Sequence, residues 1–287
     1  IGLVGSEMCI RDRSKADIIY ECLAEGGITR MLGVYQSVEG VGTIGSVRSS
    51  RPYYLELALG HDAIYLHAGG SEDAYAKIRS WGVDALDCVR GPYEGKSAGS
   101  NLFWRDAGRR KNNGLEHSVV TTGEAIQTYL PASIRRDHEE GYSYPQNFAE
   151  DGAPAGGEAA GTVTVPFSSY KTGVFTYDVD SGRYLVEEYG KAYVDGDTGE
   201  QVGVTNVLVL RTACKATGDS LGHITVDLTG GGDGWFACGG KLIPICWSKA
   251  DRNSPLVYTT ADGQPLVLGQ GSTYVNIIPR ENEITWE

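Results

Sequence analysis

The sequence lacks any apolar run of the ~18 to 20 residues that a membrane-spanning helix needs, so no transmembrane segment is expected in this chain. It also lacks positive charge: 25 Lys and Arg stand against 37 Asp and Glu, a net charge of -12. The deficit is even along the chain, with 16 against 22 up to residue 160 and 9 against 15 beyond it. Neither part is a basic arm, which excludes a duplex-binding face and with it a nucleic-acid partner. Cys9 aside, the five cysteines Cys22, Cys88, Cys214, Cys238 and Cys246 are widely spaced and contain no C-x-x-C pair. That pattern argues against a disulfide framework and against a zinc ribbon. His61 and His67 stand six apart and outside any H-E-x-x-H pattern, so no metal and no cofactor is expected. There is no G-x-S-x-G elbow, and Gly230-Gly231-Gly232-Asp233-Gly234 has no Lys-Ser/Thr behind it to make a P-loop. Asp195-Gly196-Asp197-Thr198-Gly199 opens like a calcium loop, but Asn206 stands where the twelfth-position glutamate belongs, and the run reads as a hairpin turn.

What is present is glycine and tyrosine, 40 and 17 residues against only 5 Phe, a composition of many turns and half-exposed strands, as in an extracellular or envelope protein. The first stretch, IGLVGSEMCIRDR, reads unlike the rest and is similar to a translated adapter peptide. Residues 1–13 are therefore set apart from the fold. Ser14 to Glu25 reads as a helix, with a capping-box spacing at Ser14 and Asp17 and an apolar stripe of Ile18, Ile19, Cys22 and Leu23. A strand follows at 28–35, and Pro52 opens a helix that Gly60 ends. The strand at 63–68 runs through Gly69-Gly70 to Ser71, which caps a helix ending at Trp81 before Gly82. Thr121 with Glu124 caps a last helix over 125–130. Residues 143–160 are rich in Gly, Ala and Pro and read as a linker. Beyond them short alternating strands are separated by Gly-rich turns. The expected fold is α+β, a mixed α/β domain at 14–142, a linker, and a mostly antiparallel β domain at 161–287.

The candidate site lies within 25–71. Arg30, Arg48 and Arg51 each sit next to Gly, Ser or Thr rather than in a charged run. Gly69, Gly70 and Ser71 form the turn from strand to helix, where free backbone N–H groups can hold an anion. Arg48 and Arg51, three apart before the Pro52 helix, can aim two guanidinium forks at the same oxygens. The competing reading pairs these arginines internally with Asp17, Glu21 or Glu25. Asp17 and His67 are the candidates for proton transfer. At spacings of four, Asp17, Glu21 and Glu25 otherwise read as a solvated helix face.

ADIIYECLAEGGITR, GTIGSVRSSRPYYLELA, the strand ending HAGGS, and FWRD resemble the N-terminal domain of the YerB-like lipoproteins of Gram-positive bacteria, the DUF3048 type. Asn206-Val207, GDGWFACGGKLIPICWSK and YTTADGQPLVLGQGSTYVNIIP resemble that family's C-terminal domain. Ser46 departs from the family's proline before the first paired arginine, and Glu116-His117-Ser118 from its Pro-His-Asn. The resemblance implies an extracytoplasmic protein, tethered in its native full length through an N-terminal lipid anchor. Two functions are carried forward. One is a binding module for an anionic cell-wall ligand or envelope protein. The other is an enzyme acting on phosphorylated envelope glycans or lipid-linked phosphates, which the Arg-x-x-Arg loop, similar to that of LytR-CpsA-Psr phosphotransferases, supports by analogy.

Overall fold

The computed structural model describes residues 1–6 and 15–287 of the chain. Cys9, the expected cap Ser14 and the rest of 7–14 lie outside the described residues. The fold is α+β and mostly strand, and it divides into two compact units. The first unit comprises Ile1–Ala16, Met31–Tyr142 and Asp195–Glu200, and the second Asp17–Arg30, Ser143–Val194 and Gln201–Glu287. The expected division at residues 143–160 differs on two segments, 17–30 and 195–200, which cross over to the other unit.

The chain opens with β1 (Gly2–Ser6), β2 (Ile18–Leu23) and β3 (Thr29–Val34). The segment set apart on sequence thus supplies a strand: β1 pairs in parallel with β5 (Tyr65–His67), Gly2 opposite Tyr65. The helix expected at 14–25 is also overturned, because Ile18–Leu23 is a strand buried on both faces. A short apolar run covered on both sides has no period of its own, and its β-branched and aromatic residues decide for the strand.

In the first unit β4 (Thr43–Gly45) leads to α1 (Pro52–Gly60), β5 and α2 (Glu72–Trp81), then β6 (Ala85–Asp87) and β7 (Trp104–Arg105). After these come α3 (Ala107–Asn113), β8 (Val119–Thr122) and α4 (Gly123–Tyr129). β1, β5 and β6 form parallel neighbours, and β4, β8 and β7 an antiparallel sheet. α2 is built as its sequence predicts. Ser71 Oγ accepts the Ala74 N–H at 3.1 Å, and Gly82 takes the left-handed conformation that stops the helix. The cap of α4 is Thr122, whose Oγ1 accepts from Ala125 N at 3.1 Å. Thr121, expected in that role, instead donates its hydroxyl to Leu102 O at 2.7 Å. The 195–199 run closes a turn, Asp195 N donating to Glu200 O at 2.8 Å and Asp195 Oδ1 accepting the Asp197 N–H at 2.9 Å.

In the second unit β9 (Asn147–Ala149) and β10 (Glu158–Ala159) lie in the expected linker. They precede β11 (Thr162–Pro166), β12 (Thr172–Asp178), β13 (Arg183–Glu188), β14 (Lys191–Ala192), β15 (Gly203–Val204) and β16 (Asn206–Thr212). The chain ends through β17 (Cys214–Ala216), β18 (Ile224–Val226), β19 (Gly230–Cys238), β20 (Lys241–Lys249), β21 (Val257–Thr260), β22 (Val267–Gly269), β23 (Thr273–Pro279) and β24 (Thr285–Trp286). One sheet runs β10-β20-β19-β16-β23-β2, antiparallel except where β23 pairs in parallel with β16 and β2. β2, β16 and β23 are covered on both faces: Tyr20, Cys22, Leu208, Leu210, Tyr274, Val275 and Ile277 are all closed to solvent. A second sheet runs β14-β13-β12-β11-β24. Cys22, Cys88, Cys214, Cys238 and Cys246 are free thiols.

Candidate functional site

Six of the eight residues singled out in the sequence fall in the first unit and meet along one seam. The extended run before α1 lies beside the turn after β5. Ala68 N donates to Arg48 O at 3.0 Å, Ser50 N to Gly69 O at 2.9 Å and Ser71 N to Ser50 O at 3.3 Å. Ser50 and Gly70 form a parallel bridge, and Tyr65 OH donates to Ser50 Oγ at 2.9 Å. Arg48, Arg51, His67, Gly69, Gly70 and Ser71 are thereby brought to one place. Gly69 has φ of 79°, a left-handed turn that lets the strand hand over to the helix.

Arg30 and Asp17 belong to the second unit. Arg30 is buried and its Nη2 lies 2.5 Å from Glu25 Oε1. Asp17 is exposed, and its carbonyl accepts the Thr273 N–H at 2.9 Å. Glu21 is not on a solvated face: it is fully buried on β2.

The N–H groups of the Gly69 turn do not stand open. Gly69 N donates to Asp87 Oδ1 at 2.8 Å, and the Ser71 hydroxyl is used as the cap. Asp87 also accepts from Val89 N at 2.8 Å, Arg90 N at 3.1 Å and Tyr75 OH at 2.7 Å. Burial pushes this carboxyl up, but the Gly69 N–H, the Tyr75 hydroxyl and His67 outweigh it and hold its pKa below the usual value. The turn is therefore supplied with a carboxylate from the chain itself. Sequence reasoning missed Asp87. The signal was an aspartate two and three residues before turn N–H groups, where such side chains accept locally.

His67 is 1% exposed, with Nδ1 2.7 Å from Gly69 O and 3.8 Å from Asp87 Oδ1. Burial lowers its pKa against the opposing pull of Asp87 and the Gly69 carbonyl, so the ring is neutral at neutral pH. Its place is that of a buried support of the turn. Arg51 is buried, and its Nη1 donates to Ser50 O at 2.8 Å. Arg48 differs from both. Its side chain is 11% exposed and donates through Nη1 to Glu116 O at 3.0 Å and through Nη2 to Glu116 Oε2 at 3.2 Å, while the Glu116 side chain is 81% exposed. The acid on Arg48 is thus Glu116, not Asp17, Glu21 or Glu25. At the mouth of α2, Arg90 lies 3.6 Å over the Tyr75 ring and pairs with Glu72 at 2.6 Å.

Residues 13–136 match the family described as the N-terminal domain of a protein of unknown function (DUF3048), and residues 163–275 match its C-terminal domain. The chain is 28% identical over 273 residues to the Bacillus subtilis (strain 168) protein named "Putative lipoprotein YerB", covering 93% of this chain and 76% of that protein. The crystal structure of the YerB protein from Bacillus subtilis is similar with a TM-score of 0.79 at 25% identity, over 99% of this chain and 93% of that one.

Proposed function

The chain belongs to the DUF3048 family, and on that basis we propose that it is an extracytoplasmic, membrane-anchored envelope module whose first unit takes an anionic group of a cell-wall ligand or partner at Arg48. The location rests on the lipoprotein named among its relatives. The binding reading rests on one observation: an arginine whose side chain is largely covered carries, at its exposed end, an acid that is itself almost wholly in solvent. An exposed ion pair of that kind contributes ~0 to 1 kcal/mol, so an incoming phosphate or carboxylate displaces Glu116 at little cost. The Glu116 carbonyl keeps one face of the guanidinium oriented, and the released Nη2 and its neighbour offer the fork that oxyanions accept. The net charge of -12 works against any anion at long range, so binding is local and weakens with salt. Titration of inorganic phosphate and of a soluble polyphosphate into the full chain and into Arg48→Gln, followed by calorimetry, tests the reading. The expected result is binding by the parent and at least a tenfold loss in the variant. Equal binding by the two proteins would overturn it.

A further inference from the structure

The second unit contains a closed cluster of charge that anion binding does not use. Lys171, just before β12, is fully buried and its Nζ lies 2.8 Å from Glu21 Oε1 on β2. The same Nζ contacts Glu188 Oε2 at the end of β13. Tyr274 OH on β23 is 2.7 Å from Glu21 Oε2 and 3.3 Å from Glu188 Oε1, and Thr29 Oγ1 donates to Glu21 Oε1. Aromatic rings close the site: Nζ is 5.0 Å from the centroid of Phe167 and 5.3 Å from that of Tyr189, and Phe175 packs edge-on to Tyr274 at 5.0 Å. The two carboxylates and one ammonium leave a net negative charge sealed from water, an arrangement whose desolvation is costly.

We propose that Lys171 and Glu188 condense into an intramolecular isopeptide bond, with Glu21 carrying the proton. The ammonium first passes a proton to the Glu188 carboxylate, giving a neutral amine and acid of the same total charge, whose separate charges no longer need solvation. The Nζ lone pair then attacks Cδ of Glu188. Tyr274 OH, near Glu188 Oε1, stabilises the oxygen on which negative charge gathers. Glu21 Oε1 takes a second proton from Nζ and delivers it to Oε2, which departs as water. One C–N bond forms, one C–O bond breaks, and nothing is oxidised or reduced. Glu21 remains as the carboxylate, accepting from Thr29 and the new amide N–H, and the single Tyr274 proton is shared between Glu21 Oε2 and the new carbonyl. Burial pushes the Lys171 ammonium down while Glu21 and Glu188 more than restore it, so the cluster rests as the ion pair and the first proton transfer runs uphill.

The mass of the purified full chain, measured after denaturation, decides the matter. The expected value is one water below the mass of the sequence, with a tryptic product joining the peptides that carry Lys171 and Glu188. Lys171→Arg and Glu188→Ala are expected at their full sequence masses, whether or not they fold well. A parent chain at its full sequence mass after prolonged incubation would overturn the proposal. So would a water loss that persists in Lys171→Arg, since it would come from another site.

Discussion

The carboxylate of Asp87 accepts the backbone N–H of Gly69 at 2.8 Å, so the turn that ends β5 is neutralised from within the chain. A glycine turn running into a helix start attracts an anion for physical reasons that do not specify which anion. Here the last residue of β6 supplies it, and the two parallel strands are tied together beyond their last ladder bond. The neighbouring Arg48 pairs instead with Glu116, whose side chain lies in solvent.

Asp87→Ala removes one acceptor from four donors at once, three backbone N–H groups and the Tyr75 hydroxyl. The Tyr75 hydroxyl is a buried donor and the three N–H groups are part-buried; a buried donor left without a partner costs about 1 to 3 kcal/mol, so a loss of about 3 kcal/mol is expected in urea unfolding. A loss under ~1 kcal/mol would mean that the Asp87 carboxylate does not organise the turn.

Acid should weaken the first unit in two stages. His67 is held below its ordinary 6.5 by burial, so the unfolded chain binds a proton that the folded one does not, and stability falls as pH drops below 6.5. Asp87 is held below 3.8, so its contribution is intact above that value and is lost as pH falls through its lower folded value. The urea midpoint should be lower at pH 5.5 than at pH 7.5, and His67→Gln should remove most of that difference. A midpoint unchanged between the two would show that the ring protonates without cost.

The paired arginines should separate. Arg48→Gln breaks a pair with an exposed acid, and stability should move by less than about 1 kcal/mol. Arg51→Gln withdraws a buried donor from the Ser50 carbonyl and should cost about 2 kcal/mol. Thermal unfolding of the two single variants checks this ordering, and the reverse order would exchange their roles.

Trypsin should cut first after Arg136, within residues 131–146, which contain neither helix nor strand. Neighbouring Arg135 is held by Asp62 at 2.5 Å, which protects that bond. The fragments should nevertheless travel together in gel filtration without denaturant. β2, on the first fragment, pairs with β23 on the second from Ile18 opposite Thr273 to Cys22 opposite Ile277. Two separate native peaks would show that this pairing contributes little to the second unit.

The features legible in the amino-acid order are local ones. The cap at Ser71 and the stop at Gly82 lie within a few residues of the groups they satisfy, so α2 was legible end to end. The strands β11 and β13 were legible from alternation and glycine turns, because one face of each is buried. The run from Arg48 to Arg51 before α1 lies beside the Gly69 to Ser71 turn before α2, and the two guanidinium groups take different partners, Glu116 and the Ser50 carbonyl. Packing in three dimensions settled the rest. Ile18–Leu23 became a strand because both its faces are covered, which removes the period from which a helix or strand is told. Asp87 is 18 residues from Gly69 and Glu116 is 68 from Arg48, so their claims on those groups arise from which strands lie adjacent. Glu21 follows the same rule at greater distance, meeting Tyr274 across 253 residues. Spacing along a chain states which groups need partners, but only the packed strands choose among the acids that could answer.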